Sequence, residues 1–165
     1  MQPNDNDCMK HSKLLIFSFI SIIFLSLSLG CEKYTPNPIP DVYVNFTINI
    51  LYDSEFIRLQ AQNNSMVITN NTIGVLTLGY NNNGVIVYNA GGEFYAFDCT
   101  CPYDYPKSIV VEADPNSGLA TCPECGSVYV FPSRGAPTTS GPASFALKEY
   151  KAYYNPNTGY INVFN

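Results

Sequence analysis

The sequence predicts an all-β domain, an antiparallel sandwich or a small barrel, on three observations. Short runs of β-branched and aromatic residues recur along the chain, turn signals rich in Asn, Gly and Pro stand between them, and no stretch after Cys31 holds a helical period. Aromatic residues make up 14% of the chain, with Tyr the commonest, and charged residues only 13%. That balance suits strands and turns, because flat and branched side chains fit a pleated surface.

Taken in order, strands are expected at Val42 to Ile50, Ser65 to Thr69, Gly84 to Tyr88, Glu93 to Phe97 and Ser108 to Glu112. The pattern returns at Leu119 to Cys122, Val128 to Phe131, Ser144 to Leu147, Tyr150 to Tyr154 and Tyr160 to Phe164. Turns are expected at Asn82-Asn83-Gly84, Gly91-Gly92, Asp114 to Gly118 and Asn155 to Gly159, where Asn, Asp and Gly tolerate the backbone of a tight reversal. The Asn-rich stretch Gln62 to Asn71 reads as a loop around the second run. No tandem repeat is visible, so one domain is drawn from Asp41 to Asn165.

The first 30 residues have the layout of a secretory signal. Lys10, His11 and Lys13 precede Leu14-Leu15-Ile16-Phe17, and the apolar run continues to Leu29-Gly30-Cys31, interrupted by Ser18, Ser21, Ser26 and Ser28. Residues 31–40 hold Pro36, Pro38 and Pro40 and read as a tether, or over the second half as an edge segment packed on the domain.

Several function classes are excluded by composition. A formal charge of −5, with Arg58, Lys107 and Arg134 isolated as solubilising charges, leaves no basic patch for nucleic acid. The one histidine, His11, lies in the signal segment, so the exported chain has no imidazole for acid-base work, nucleophile activation or metal ligation. Gly91-Gly92 lacks the lysine and helix of a phosphate loop, and no carboxylate pair is spaced for catalysis. Asp98 and Glu124 read as partly exposed carboxylates without a role, and Tyr103-Asp104-Tyr105 as a Tyr-rich turn.

Chemistry concentrates in two cysteine loops, Cys99-Thr100-Cys101-Pro102 and Cys122-Pro123-Glu124-Cys125-Gly126-Ser127. Each pair is close enough for one turn to present both sulfurs to a common centre, and Pro and Gly supply the turn geometry. Three occupants suit Cys99, Cys101, Cys122 and Cys125: an iron–sulfur cluster, a tetrahedral zinc ion, or disulfides such as Cys101 to Cys122.

These loops resemble those of Rieske iron–sulfur domains, which carry Cys-x-His and Cys-Pro-x-His-Gly-Ser. The likeness runs from Gly84 to Phe164 and includes Phe131, Arg134-Gly135 and Gly141-Pro142-Ala143, which resembles the family's proline loop. With Leu147-Lys148-Glu149-Tyr150, the phrases are similar to Rieske-like lipoproteins of Bacteroidetes-type bacteria. Leu27-Ser28-Leu29-Gly30-Cys31 likewise resembles a lipobox, which implies lipidation at Cys31 and a membrane-anchored place in the bacterial cell envelope, periplasmic or outer-membrane.

The resemblance implies a Rieske-like antiparallel β-sandwich or barrel with a small rubredoxin-like cluster-binding subdomain. Cys99 and Cys122 match the family's cysteine ligands, whereas Cys101 and Cys125 stand where it has histidine. A two-iron two-sulfur cluster would then be held by four thiolates, at a potential near the plant-ferredoxin value of about −400 mV. The implied role is electron transfer or redox support of an unidentified partner protein. Met9 to Lys13 contains no arginine pair, so the signal is of the unfolded-export type, for which zinc or disulfides are simpler to acquire outside the cytoplasm. The alternative role is a non-enzymatic binding or structural lipoprotein stapled through the same cysteines.

Overall fold

The computed structural model describes residues 36–165. The expected signal segment, the expected lipidation at Cys31 and the start of the expected tether lie outside the described residues. Ten strands follow in order: β1 Asn45–Asn49, β2 Ser65–Ile68, β3 Val85–Asn89, β4 Phe94–Asp98, β5 Glu112–Ala113, β6 Leu119–Thr121, β7 Val128–Val130, β8 Ala136–Pro137, β9 Glu149–Asn155 and β10 Tyr160–Phe164. They form a six-stranded sheet in the order β1-β10-β9-β4-β3-β2 and a four-stranded sheet in the order β5-β6-β7-β8. Every strand pair is antiparallel, as the sequence pattern predicts.

The large sheet is built by side-chain alternation. In β1, Phe46 and Ile48 are buried while Asn45 and Thr47 are exposed, and in β10 Ile161 and Val163 are buried against them. The β9–β10 hairpin turns on Asn155 to Gly159, with the Gly159 amide donating to the Asn155 carbonyl at 2.8 Å. The remainder of this core comes from β3, β4 and the 3₁₀ turn Ile57–Gln60, which contributes Leu59.

β3 differs from its neighbours in being buried along all five residues. Val85 and Val87 join the core of the large sheet, whereas Ile86 and Tyr88 join a second core with Phe97, Ala120, Tyr129 and Phe131. That explains the unbroken apolar run Val85-Ile86-Val87-Tyr88, since a strand covered on both faces has no polar side. β3 and β4 therefore form the wall shared by the two cores. The small sheet is joined to the edge strand β2 where the Ser65 amide donates to the Pro115 carbonyl at 2.9 Å and its hydroxyl to the Asp114 carbonyl at 3.0 Å.

Three local expectations change. Ser144 to Leu147 is not a strand: only Leu147 is buried there, and Gly141-Pro142 commits the preceding chain to a loop. Of Ser108 to Glu112 only Glu112 enters a named strand, because the rest pairs with the first cysteine loop through a bridge between Thr100 and Val110. Asn70–Ile73 forms one helical turn after β2, capped by reciprocal Thr69 and Thr72 hydrogen bonds.

The compact unit begins at Pro36. Ile39 is buried, Asn37 donates to the Ala146 carbonyl at 2.8 Å, and Lys148 binds the Ile39 carbonyl at 3.0 Å and Asp41 at 2.5 Å. The second half of the proline-rich segment is thus packed on the domain. Among the described residues no helix is long and apolar enough to cross a membrane.

Truncating Ile161 tests the large core. Ile161→Ala is expected to lose about 2–5 kcal/mol, whereas Thr47→Ala on the exposed face loses less than about 1 kcal/mol. Denaturant unfolding of the two variants checks the contrast.

Candidate metal centre

β4 delivers the first loop. Beyond Asp98 the chain stays extended, with the Cys101 amide donating to the Ile109 carbonyl at 2.8 Å and the Val111 amide to the Cys99 carbonyl at 2.8 Å. Asp98 is fully buried, contrary to its reading as a partly exposed carboxylate. Its Oδ1 accepts from the Thr100 amide at 2.8 Å, and its Oδ2 accepts from the Tyr80 amide at 2.6 Å and the Tyr150 hydroxyl at 2.7 Å. Burial first, then the adjacent Asp98 charge, hold the Tyr150 phenol protonated well above its ordinary range. Asn83 adds a second clamp, donating to Thr100 Oγ1 and Ser108 Oγ, both at 2.8 Å.

The second loop is the turn between β6 and β7. The Gly126 amide donates to the Cys122 carbonyl at 3.0 Å, and the Cys122 amide to the Ser127 carbonyl at 2.9 Å. Closing that turn puts Gly126 at a φ of 72°, a left-handed backbone for which glycine carries no side-chain penalty. The Gly141-Pro142-Ala143 loop lies directly on it. The Ala143 amide donates to Ser127 Oγ at 3.1 Å, and a Cβ on Gly141 would stand 2.5 Å from the Ser127 backbone.

The two loops bring together the sulfurs of Cys101, Cys122 and Cys125, all within 4.8 Å of one another. Cys101 Sγ and Cys125 Sγ are 3.7 Å apart, a non-bonded separation, and all four cysteines are free. Cys101 and Cys122 are buried and Cys125 is half-buried. Cys99, the fourth residue expected at the site, is fully buried and does not join the trio. Its amide donates to the carbonyl of Gly84, the residue before β3, at 3.1 Å.

Burial sets the protonation of these thiols. It pushes Cys101 up to about 12, against hydrogen bonds from the Tyr129 hydroxyl and the Tyr103 amide. Burial and the Asp98 charge push Cys99 well above the usual thiol range. Burial alone would raise Cys125 as well, but the Ser127 hydroxyl and amide with the neighbouring sulfurs outweigh it, and the net shift is downward. A bound cation would displace the remaining protons, since the thiolate is the metal ligand.

Two supporting side chains escaped the sequence reading. Tyr129, fully buried, places its hydroxyl 3.1 Å from Cys101 Sγ, and Ser127 Oγ lies 3.2 Å from Cys125 Sγ. The available signal was their position two and four residues after Cys125, where the strand leaving the turn folds back under the site. Lys107, read as a surface charge, bridges the loops by meeting Asp104 at 2.7 Å and Glu124 at 2.8 Å. Being exposed, that bridge contributes little stability. Arg134 pairs with Glu149 at 2.6 Å and lies 4.3 Å above the Tyr95 ring.

An opening of about 30 Å³ sits over the sulfurs, lined by Cys101, Cys122, Cys125, Tyr103, Asp104, Lys107, Ile109 and Glu124. A soft, histidine-free sulfur set of this kind suits a thiophilic metal.

No protein-family model matches the chain. No curated protein matches it. It is similar to a crystal structure from Mycobacterium tuberculosis described as that of an NADH-dependent nitrite reductase small subunit, with a TM-score of 0.42 and 14% sequence identity over 76% of this chain and 97% of that chain.

Removing the Asp98 carboxylate leaves three donors unpaired in the interior. Asp98→Ala is expected to lower stability by about 3–5 kcal/mol, and Tyr150→Phe, which removes one donor, by about 1–2 kcal/mol. Urea unfolding midpoints of the two variants measure the difference.

Proposed function

We propose that this chain is a lipid-anchored metal–thiolate protein of the bacterial cell envelope, its centre built by two cysteine loops on a Rieske-like β scaffold. The observation that carries the reading is the convergence of Cys101, Cys122 and Cys125 within 4.8 Å from two loops separated in sequence. Gathering three polarisable sulfurs side by side, two buried and one half-buried, with the hydroxyls of Tyr129 and Ser127 against two of them, prepares a site for positive charge. Lipidation at Cys31 would hold this domain at a membrane surface, where a partner protein can reach the exposed rim of the loops.

The loop residues and their order support electron transfer as the role. In that form Cys99, Cys101, Cys122 and Cys125 would hold a two-iron two-sulfur cluster, which supplies one-electron chemistry when bound. The chain's own contribution is to supply thiolates, to exclude water with Tyr129 and Phe131, and to orient hydroxyls toward the sulfurs. The close spacing of three sulfurs favours a second form, in which the same loops hold zinc and the protein is a non-enzymatic structural or binding lipoprotein.

Purification of the full chain from membranes without air, followed by metal and acid-labile sulfide analysis and a visible spectrum, tests the proposal. Stoichiometric metal that is lost in the Cys101→Ala, Cys122→Ala double variant is the expected result. A metal-free chain whose cysteines are all oxidised to disulfides defeats it.

A further inference from the structure

We infer that the site takes one metal ion on three thiolates, Cys101, Cys122 and Cys125, with its fourth position open to an exchangeable small donor such as water, and that Cys99 is not a ligand. The inference rests on the metal–thiolate reading above and specifies its nuclearity. A tetrahedral ion with metal–sulfur bonds of about 2.3 Å puts its sulfurs about 3.8 Å apart. Cys101 and Cys125 are 3.7 Å apart, and Cys122 lies within 4.8 Å of both, so the three already form one face of such a tetrahedron.

A binuclear cluster divides its four thiolates into two pairs, one on each iron. The resemblance would place Cys101 with Cys125 and Cys99 with Cys122. Here Cys122 lies within 4.8 Å of both Cys101 and Cys125, across the division between the two pairs, and Cys99 is outside that group of three. The difference has a cause in the backbone. Cys99, the first residue beyond β4, is held by the Gly84 carbonyl on its amide and the Val111 amide on its carbonyl, while Cys101 lies where the chain leaves for the Pro102 turn.

The opening above the trio supplies the fourth position. All three cysteines line it, and at about 30 Å³ it has room for a water-sized donor beside the sulfurs. Among the described residues no further cysteine, histidine or carboxylate joins the trio. Asp104 and Glu124, the carboxylates at the rim, are both engaged by Lys107. Three protein ligands with one open position distinguish sites that bind an exchangeable ligand from closed structural ones. Zinc is the metal the donor set and the tetrahedral edge fit best.

Zinc loading of the full chain, followed by X-ray absorption at the zinc edge, tests the geometry without any mutation. Three sulfur scatterers and one light scatterer are expected, with one zinc per chain. Cys99→Ala is expected to keep zinc affinity within about threefold of the parent, whereas Cys125→Ala loses about a hundredfold or more. Two irons and two sulfides per chain, four sulfur scatterers, or loss of metal in a folded Cys99→Ala variant overturns the three-thiolate site while leaving the metal–thiolate function standing. A chain that binds no metal under any loading condition overturns both.

Discussion

The Asp98 carboxylate is the joint on which the arrangement turns. It draws donors from three separate segments: the Tyr80 amide in the turn before β3, the Thr100 amide in the first cysteine loop and the Tyr150 hydroxyl in β9. A carboxylate in the interior is costly unless its lone pairs are satisfied, and a short hydrogen bond to a charged acceptor is stronger than one between neutral groups. Burying this charge therefore imposes a geometry on everything that must satisfy it. The end of β4, the path of Cys99 and Cys101 and the start of β9 are set together.

That joint sits on a rigid support. β3 and β4 are covered on both sides, by the core of the large sheet and by the smaller core beneath the cysteine loops, so neither strand can shift without disturbing two packed interiors. The small sheet then positions the second loop through β6 and β7, and the Gly141 loop closes over Ser127 at a distance only glycine permits. The three sulfurs meet because two short-range turns are held by long-range packing.

The same constraint separates Cys99 from its neighbours. Its amide and carbonyl are taken by Gly84 and Val111 directly beyond β4, and the other three sulfurs gather without it. Tyr129 and Ser127 lie against the sulfurs of Cys101 and Cys125, so the second loop and the strand after it form one unit with the sulfur trio.

Much of this was legible in the residues themselves. Side-chain alternation and turn chemistry are local, and they located the all-β class, most strands, the β9–β10 hairpin and both cysteine loops. Local pattern failed where a partner decided the outcome. Ser144 to Leu147 has strand-like residues but no ladder to join, and Ser108 to Glu112 pairs with a loop instead of a strand. Asp98 reads as an ordinary carboxylate until its burial and its three donors are seen. The cysteines and their spacing came from the sequence alone, as did the lack of histidine beyond His11. Which sulfurs converge was decided only in three dimensions, because proximity across the two loops depends on how β4, β6 and β7 pack, and no spacing along one chain encodes that distance.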